Sequence, residues 1–201
     1  MSGMERELEL DLVRRVRAGD SAAFDASYAE FNTRLVNCLA RLSRRREIAE
    51  DLLDETWLRF VDRASRLTPD TRLGPFLFTV ARNLYISYCR SRMLEDAQSA
   101  DAIGLWPLGT PRVSPFDAPF ATETGRRLDE AIAALPAAHR EALLLVAVEG
   151  MKPADAAVIC GITPEAMRQR LCRARAAVAQ HLDESSAPGG LSDAIYKAAT
   201  T

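Results

Sequence analysis

The stretch "KPADAAVICGITPEAMRQRLCRARAAVAQHL", beginning at Lys152, is punctuated in a way few folds can accommodate. Pro153 suits the first turn of a helix, where its missing N–H would have no partner. Gly161 permits a left-handed residue that ends that helix. Thr163-Pro164 then supply an N-cap and a first-turn proline for a second helix. Ala157 lies four residues before Gly161 and Met167 six after it, and a small residue at 157 lets the two helices cross closely. This is the pattern of a helix-turn-helix. No strand-like alternation appears anywhere along the chain, so the expected fold class is all-α.

The second helix of that unit carries more than a packing face. Met167, Leu171, Ala174 and Val178 are spaced four, three and four, and face inward. Arg168, Gln169 and Arg175 then point outward, and Arg170 and Arg173 flank the buried stripe. Residues 163–178 hold four arginines against the single acid Glu165, a net +3. Arginines alone would describe a solvated face. The turn that precedes them makes this a helix that offers arginines to base edges and phosphates.

The rest of the chain divides by composition. Residues 1 to about 92 read as helices throughout. Phe24, Tyr28, Phe31, Leu35, Leu39 and Leu42 mark one long stripe, preceded by a break at Gly19 and a cap at Asp20 or Ser21. A second helix is expected over about Ile48 to Arg66, with Leu52, Leu53, Trp57, Phe60, Val61 and Ala64 inward. "LTPDTRLGP" is a loop, and a third helix follows from about Pro75 with Phe76, Leu77, Val80, Ala81, Leu84 and Tyr88 on its apolar face. Residues 93–122 hold four prolines and two glycines, show no period and net −3 from one Arg and four acids; they read as a linker. Trp106, Phe116 and Phe120 within it are candidates for docking. Leu128, Ala131, Ile132 and Leu135 give a short helix that stops before Pro136, and "AAHREALLLVAVE" gives another that ends at Gly150. The expectation is two small helical domains joined by a Pro-rich linker: 1–92, then linker 93–122, then a four-helix domain 123–182, then a tail 183–201. Leu191, Ile195 and Tyr196 could form a docking turn in that tail.

Whole-chain charge does not identify a nucleic-acid binder, since 26 Lys+Arg stand against 28 Asp+Glu. Any such role must come from local arrangement. No run approaches 18 apolar residues, and the charged N-terminus lacks a signal-peptide core, so no membrane insertion and a cytoplasmic location are expected. Cys38, Cys89, Cys160 and Cys172 form no C-x-x-C pair, and His139 and His181 have no metal-ligand spacing; free thiols and no metal or cofactor are expected. A phosphate-binding glycine loop and a nucleophile–base pair are likewise missing from the sequence, which argues against an enzyme. "AEDLLDETWLRF" (49–60) places Glu50, Asp51, Asp54 and Glu55 on the outside of a helix whose other face is apolar, a pattern that by itself describes a solvated face.

Taken together, these segments resemble the extracytoplasmic-function (ECF) sigma factors, the small two-domain class of bacterial transcription initiation factors. "AEDLLDETWLRF" is similar to the family's polymerase-binding helix, usually D-L-x-Q-E-x-F/W, and "FLFTVARNLYISYCR" to W-L-x-x-I-A-x-N. "ALPAAHREALLLVAVEGMKPADAA" resembles A-L-P-x-x-x-R-E, and "GITPEAMRQRLCRAR" resembles G-I-S-x-x-T-V-x-S-R-L-x-R-A-R. The resemblance covers about residues 20–92 and 124–182. Asp54 stands where the family usually has Gln, Phe76 where it has Trp, Asp155-Ala156 in place of Glu-Ile, and Met167 in place of Val.

The resemblance implies a role without catalysis, as a monomer when free. Asp51, Leu52, Asp54, Glu55 and Arg59 would contact core RNA polymerase. Leu67, Arg72, Arg82 and Asn83 would act at the −10 element of promoter DNA as its strands separate. Thr163, Glu165, Arg168, Gln169, Arg170, Arg173 and Arg175 would serve the −35 duplex. An anti-sigma factor is an expected partner. Two other readings compete: a sigma-like decoy that binds an anti-sigma factor without touching DNA, and a helix-turn-helix regulator independent of polymerase. The decoy should tolerate loss of the arginine cluster and Asn83, and both are present. The regulator leaves the 49–60 helix unexplained.

Overall fold

The computed structural model describes residues 3–98 and 123–186. The docking aromatics expected at 106, 116 and 120 and the tail turn at 191–196 lie outside the described residues. Eight α-helices are present among the described residues: α1 (Gly3–Arg17), α2 (Ser21–Ser43), α3 (Arg46–Arg63), α4 (Leu73–Gln98), α5 (Glu123–Ala134), α6 (Ala137–Leu143), α7 (Pro153–Cys160) and α8 (Pro164–Ser186). A 3₁₀ turn (Ala64–Arg66) follows α3, and a π-helical turn (Leu144–Val148) extends α6. No strand occurs among the described residues, and none of the helices there is long and apolar enough to cross a membrane.

Local chemistry sets the helix ends. Gly19 has φ 80°, and the Asp20 carboxylate accepts from the N–H groups of Ala22 and Ala23 at 2.9 and 3.3 Å, capping α2. Arg15 donates to the same carboxylate, and that hydrogen bond is the main reason its pKa lies below the ordinary aspartate value. At the other end of α2, Arg44 closes the helix in a left-handed conformation, φ 59°.

The first four helices pack around α2. Leu35, Leu39, Phe60, Leu73 and Leu77 are fully buried, each contributing roughly 1.5–3 kcal/mol of apolar burial. Phe24, Tyr28, Trp57, Phe60 and Phe76 form a chain of ring contacts, and the Trp57 indole N–H donates to Asn32 Oδ1 at 3.1 Å. Two polar residues enter this core by bonding back within their own helices. Thr56 donates to the Leu52 carbonyl at 2.6 Å, and Ser27 to that of Ala23 at 2.9 Å. Val61, expected inward, is 54% exposed. It is one step around the helix from Phe60, just past the edge of the stripe. Leu128, also expected inward, is 41% exposed, one turn ahead of buried Ala131 and Ile132.

Helices α5 to α8 form the second cluster, in which α8 packs on α5, α6 and α7. Gly161 adopts φ 64°, ψ 37°, and Thr163 Oγ1 accepts from Ala166 N–H at 3.1 Å. Ala156 and Ala157 are buried, as are Met167, Leu171 and Ala174. The helix-turn-helix forms as its punctuation indicates.

Candidate nucleic-acid interface

The outer half of α8 is an exposed polar surface. Arg168, Gln169, Arg173 and Arg175 are exposed, and Arg170 is half-buried at the rim of the stripe. Arg168 pairs with Glu165 one turn back. Thr163 caps the helix, so its hydroxyl already accepts a backbone hydrogen bond. Two of the expected −35 residues therefore also hold other groups in place. Thr163 fixes where α8 starts, and Glu165 orients Arg168.

In the first cluster, the 67–72 loop and the start of α4 are arranged differently. Leu67 is buried and anchors the loop instead of facing outward. Between it and buried Leu73, the chain makes a tight turn closed by Thr71 N–H to the Thr68 carbonyl at 3.0 Å. A hydrogen bond from Thr68 holds the Asp70 carboxyl below its ordinary pKa. Asn83 is exposed on α4.

Arg72 and Arg82 are not presented in the same way. Arg82 Nε donates to Glu141 Oε1 at 2.5 Å, with both side chains less than a fifth exposed. Arg72 Nη1 lies 2.6 Å from Asp155 Oδ1 at the start of α7. Both partners belong to the second cluster. Two further pairs join the clusters: Arg34 Nε to Glu149 Oε2 at 2.9 Å, and Arg41 Nε to Asp129 Oδ1 at 3.3 Å. Burial is the largest influence on Glu149 and raises its pKa above the ordinary glutamate value, against the pull of Arg34.

Arg140 is the centre of this seam. Its buried guanidinium donates to the carbonyls of Ile132, Ala133 and Leu135, where α5 ends, and to that of Leu42 near the end of α2. Carbonyls at helix ends lack intrahelical partners and carry partial negative charge, which compensates a buried cation. Tyr85 Oη donates to the same Leu42 carbonyl at 3.0 Å. Sequence reading missed the roles of Arg140 and Glu141. Their available signal was adjacency: a charged pair opening an otherwise apolar helix, directly before "ALLLV".

The outer face of α3 completes the set. Asp51 and Asp54 are exposed, while Glu55 and Arg59 pair at 2.8 Å and are each about half exposed. Leu52 is buried, so it supports this face from below. Leu58, 62% exposed, lies amid the acids at i+3 and i+4 from Glu55 and Asp54. An apolar residue inside an acidic face was the sequence signal for it.

Comparison with known proteins follows this arrangement closely. A model of sigma-70 region 2 matches residues 28–94, and a model of sigma-70 region 4 matches residues 125–178. The chain is 32% identical over 161 residues to the RNA polymerase sigma factor CarQ of Myxococcus xanthus, covering 80% of this chain and 90% of that one. It is 35% identical over 138 residues to the ECF RNA polymerase sigma factor EcfG of Rhodopseudomonas palustris, covering 67% and 71%. The chain belongs to the ECF sigma factors of the sigma-70 family.

Solved structures agree with that assignment. The sigma factor RpoE of Bartonella quintana, solved in complex with the anti-sigma factor NepR, superposes on this sigma factor with a TM-score of 0.70 at 26% identity, over 80% of this chain and 96% of that chain. CnrH, solved with the cytosolic domain of CnrY, shares the fold, with a TM-score of 0.65 at 19% identity over 89% and 99%. In this sigma factor, residues of both matched regions lie along the seam: Arg72 and Arg82 from the first, Glu141 and Asp155 from the second.

Proposed function

We propose that this protein is an alternative initiation factor that binds core RNA polymerase and directs it to promoters through −10 and −35 elements. It acts in the cytoplasm, without catalysing a reaction. The two helical clusters, expected at 1–92 and 123–182, serve as its two working units; α4 carries the first of them on to Gln98, into what the sequence marks as linker. The outer face of α3, with Asp51, Asp54, Glu55, Arg59 and the exposed Leu58, docks on polymerase, and buried Leu52 holds that face in shape. Asn83 and the 67–72 loop meet the melted −10 strand. The amide of Asn83 and the loop's backbone groups offer both donors and acceptors to an unstacked base. Helix α8 enters the major groove, with Arg168 and Gln169 toward base edges and Arg170, Arg173 and Arg175 toward phosphates.

The exposed outer face of α8, held by a capped helix-turn-helix, carries this reading. The near-neutral net charge of the whole chain fits a factor whose general DNA affinity comes largely from polymerase. The pairing of Arg72 and Arg82 across the seam adds a condition: the clusters separate before these two arginines reach DNA. An anti-sigma factor is a natural partner, given that the similar sigma factor RpoE was solved in complex with the anti-sigma factor NepR.

Run-off transcription with core RNA polymerase on templates randomised at −10 and −35 tests the reading. Core-dependent transcripts enriched in one sequence at each element support it; their absence would leave the decoy and the polymerase-independent regulator. Charge reversal at Asp51 and Glu55 together should abolish pull-down of core polymerase while the protein stays helical. Unchanged pull-down would remove α3 as the docking face.

A further inference from the structure

The first helix makes a connection that neither promoter element nor polymerase docking explains. Val13 and Val16, in the second half of α1, belong to the core. Arg6 and Glu9, in its first half, lie outside the core, and their described hydrogen bonds beyond α1 end on the 67–73 segment. Arg6 Nη2 donates to the Asp70 carbonyl at 2.7 Å. Glu9 Oε1 accepts from the Leu73 N–H at 3.0 Å, while Glu9 Oε2 pairs with Arg6 Nη1 at 2.7 Å. One carboxylate thus serves a backbone N–H at the start of α4 and a guanidinium that grips the loop. An N–H in the first turn of a helix has no intrahelical acceptor, and a carboxylate there also meets the positive end of the helix dipole.

The two grips fall on either side of Thr71 and Arg72. Both are made to backbone, so they fix the path of the loop whatever its side chains do. Sequence separation makes the link informative: each donor and its acceptor are 64 positions apart. Helix α1 also precedes the region matched by the sigma-70 region 2 model, residues 28–94.

We propose that Arg6 and Glu9 are positioning residues for −10 recognition, holding the 68–72 loop in the path that receives the promoter strand. This rests on the functional reading above. A base that leaves the stack gains most when its receiving groups are already in place, because ordering the loop then costs nothing at that moment. Loss of the clamp should therefore blur selectivity as well as slow opening.

The test uses the full chain with core RNA polymerase and templates randomised at −10 and −35. Glu9→Ala should lower open-complex formation about tenfold, the size expected for loss of a charge-assisted hydrogen bond, and broaden the −10 base preference. The −35 preference should not change. Glu9→Gln, which keeps an acceptor for the Leu73 N–H, should recover most of the wild-type profile. Arg6→Ala, a change at a partly exposed side chain, covers the case in which Glu9→Ala does not fold, and should blur the same −10 positions more weakly. Amide exchange read without polymerase should be faster at 70–74 in both alanine variants. A −10 profile that stays sharp while the melting temperature falls would overturn the proposal, as would unchanged exchange at 70–74. Failure of the wild-type chain to support any transcription would instead count against the initiation reading, and exchange would still decide the clamp.

Discussion

The two groups of arginines in this sigma factor are held in opposite ways. In α8, Arg168, Arg173 and Arg175 stand exposed on a helix whose buried stripe faces elsewhere. In the 67–72 loop and α4, Arg72 and Arg82 are engaged by acids of the other cluster. Both sets have the chemistry to meet DNA. Side-chain type does not decide availability. The first set is offered by local helix geometry, whereas the second is withheld by a seam assembled from distant parts of the chain.

Cutting that seam should produce the largest effect. Glu141→Gln with Asp155→Asn removes one charge from each of the two pairs while nearly preserving shape. Two charge-assisted contacts amount to about 3 kcal/mol, on the order of a hundredfold in the open-to-closed ratio, with the more exposed Arg72–Asp155 pair contributing the smaller share. Small-angle scattering should report a larger radius of gyration for the free variant, and its affinity for a melted −10 strand should rise. An unchanged radius would mean that the seam holds without these two ion pairs.

Next in size is Arg168→Ala, expected to cost roughly 1–3 kcal/mol on the selected −35 duplex and to relax preference at one base position. Binding selections on randomised duplexes measure it. Arg173→Ala should weaken all duplexes alike and lower the slope of log affinity against log salt by about 1. If Arg168 behaved like Arg173, α8 would be gripping backbone only.

A pH titration gives the smallest effect. Glu149 has a raised pKa in the folded protein, so folding takes up a proton between the ordinary glutamate value and the raised one. The favourable contribution is complete below the ordinary value and is lost as pH rises through the raised one. Thermal melts across the acidic range should show this small contribution growing as pH falls, and Glu149→Gln should remove that part of the dependence.

Much of this was legible in residue order because the features are local. Gly161, Thr163 and Asp20 act on neighbours within four residues, so their types disclose the turn and the caps. The arginine face of α8 follows from a period of 3.6 once the buried stripe is known. Periodicity blurs at stripe edges, which is why Val61 was expected inside. Leu52 and Leu67 illustrate another limit: a motif that marks a surface also contains the residues that support it from below. The seam was not legible. Arg82 and Glu141 are 59 residues apart, and Arg34 and Glu149 are 115 apart, distances over which no pattern of charges specifies a partner. Arg140 was hidden for the same reason, since its partners are carbonyls, which every residue possesses.

The most direct test of the account compares one chain in two states against two pieces of DNA. A double-stranded −35 fragment and a single-stranded −10 fragment, both taken from the transcription selection, are titrated with the free protein and with the protein bound to core RNA polymerase. The free protein should bind the −35 duplex weakly and in a salt-dependent way, and fail to bind the −10 strand. The polymerase-bound protein should bind both. Equal affinity of the free and polymerase-bound forms for the −10 strand would contradict the claim that the seam withholds Arg72 and Arg82.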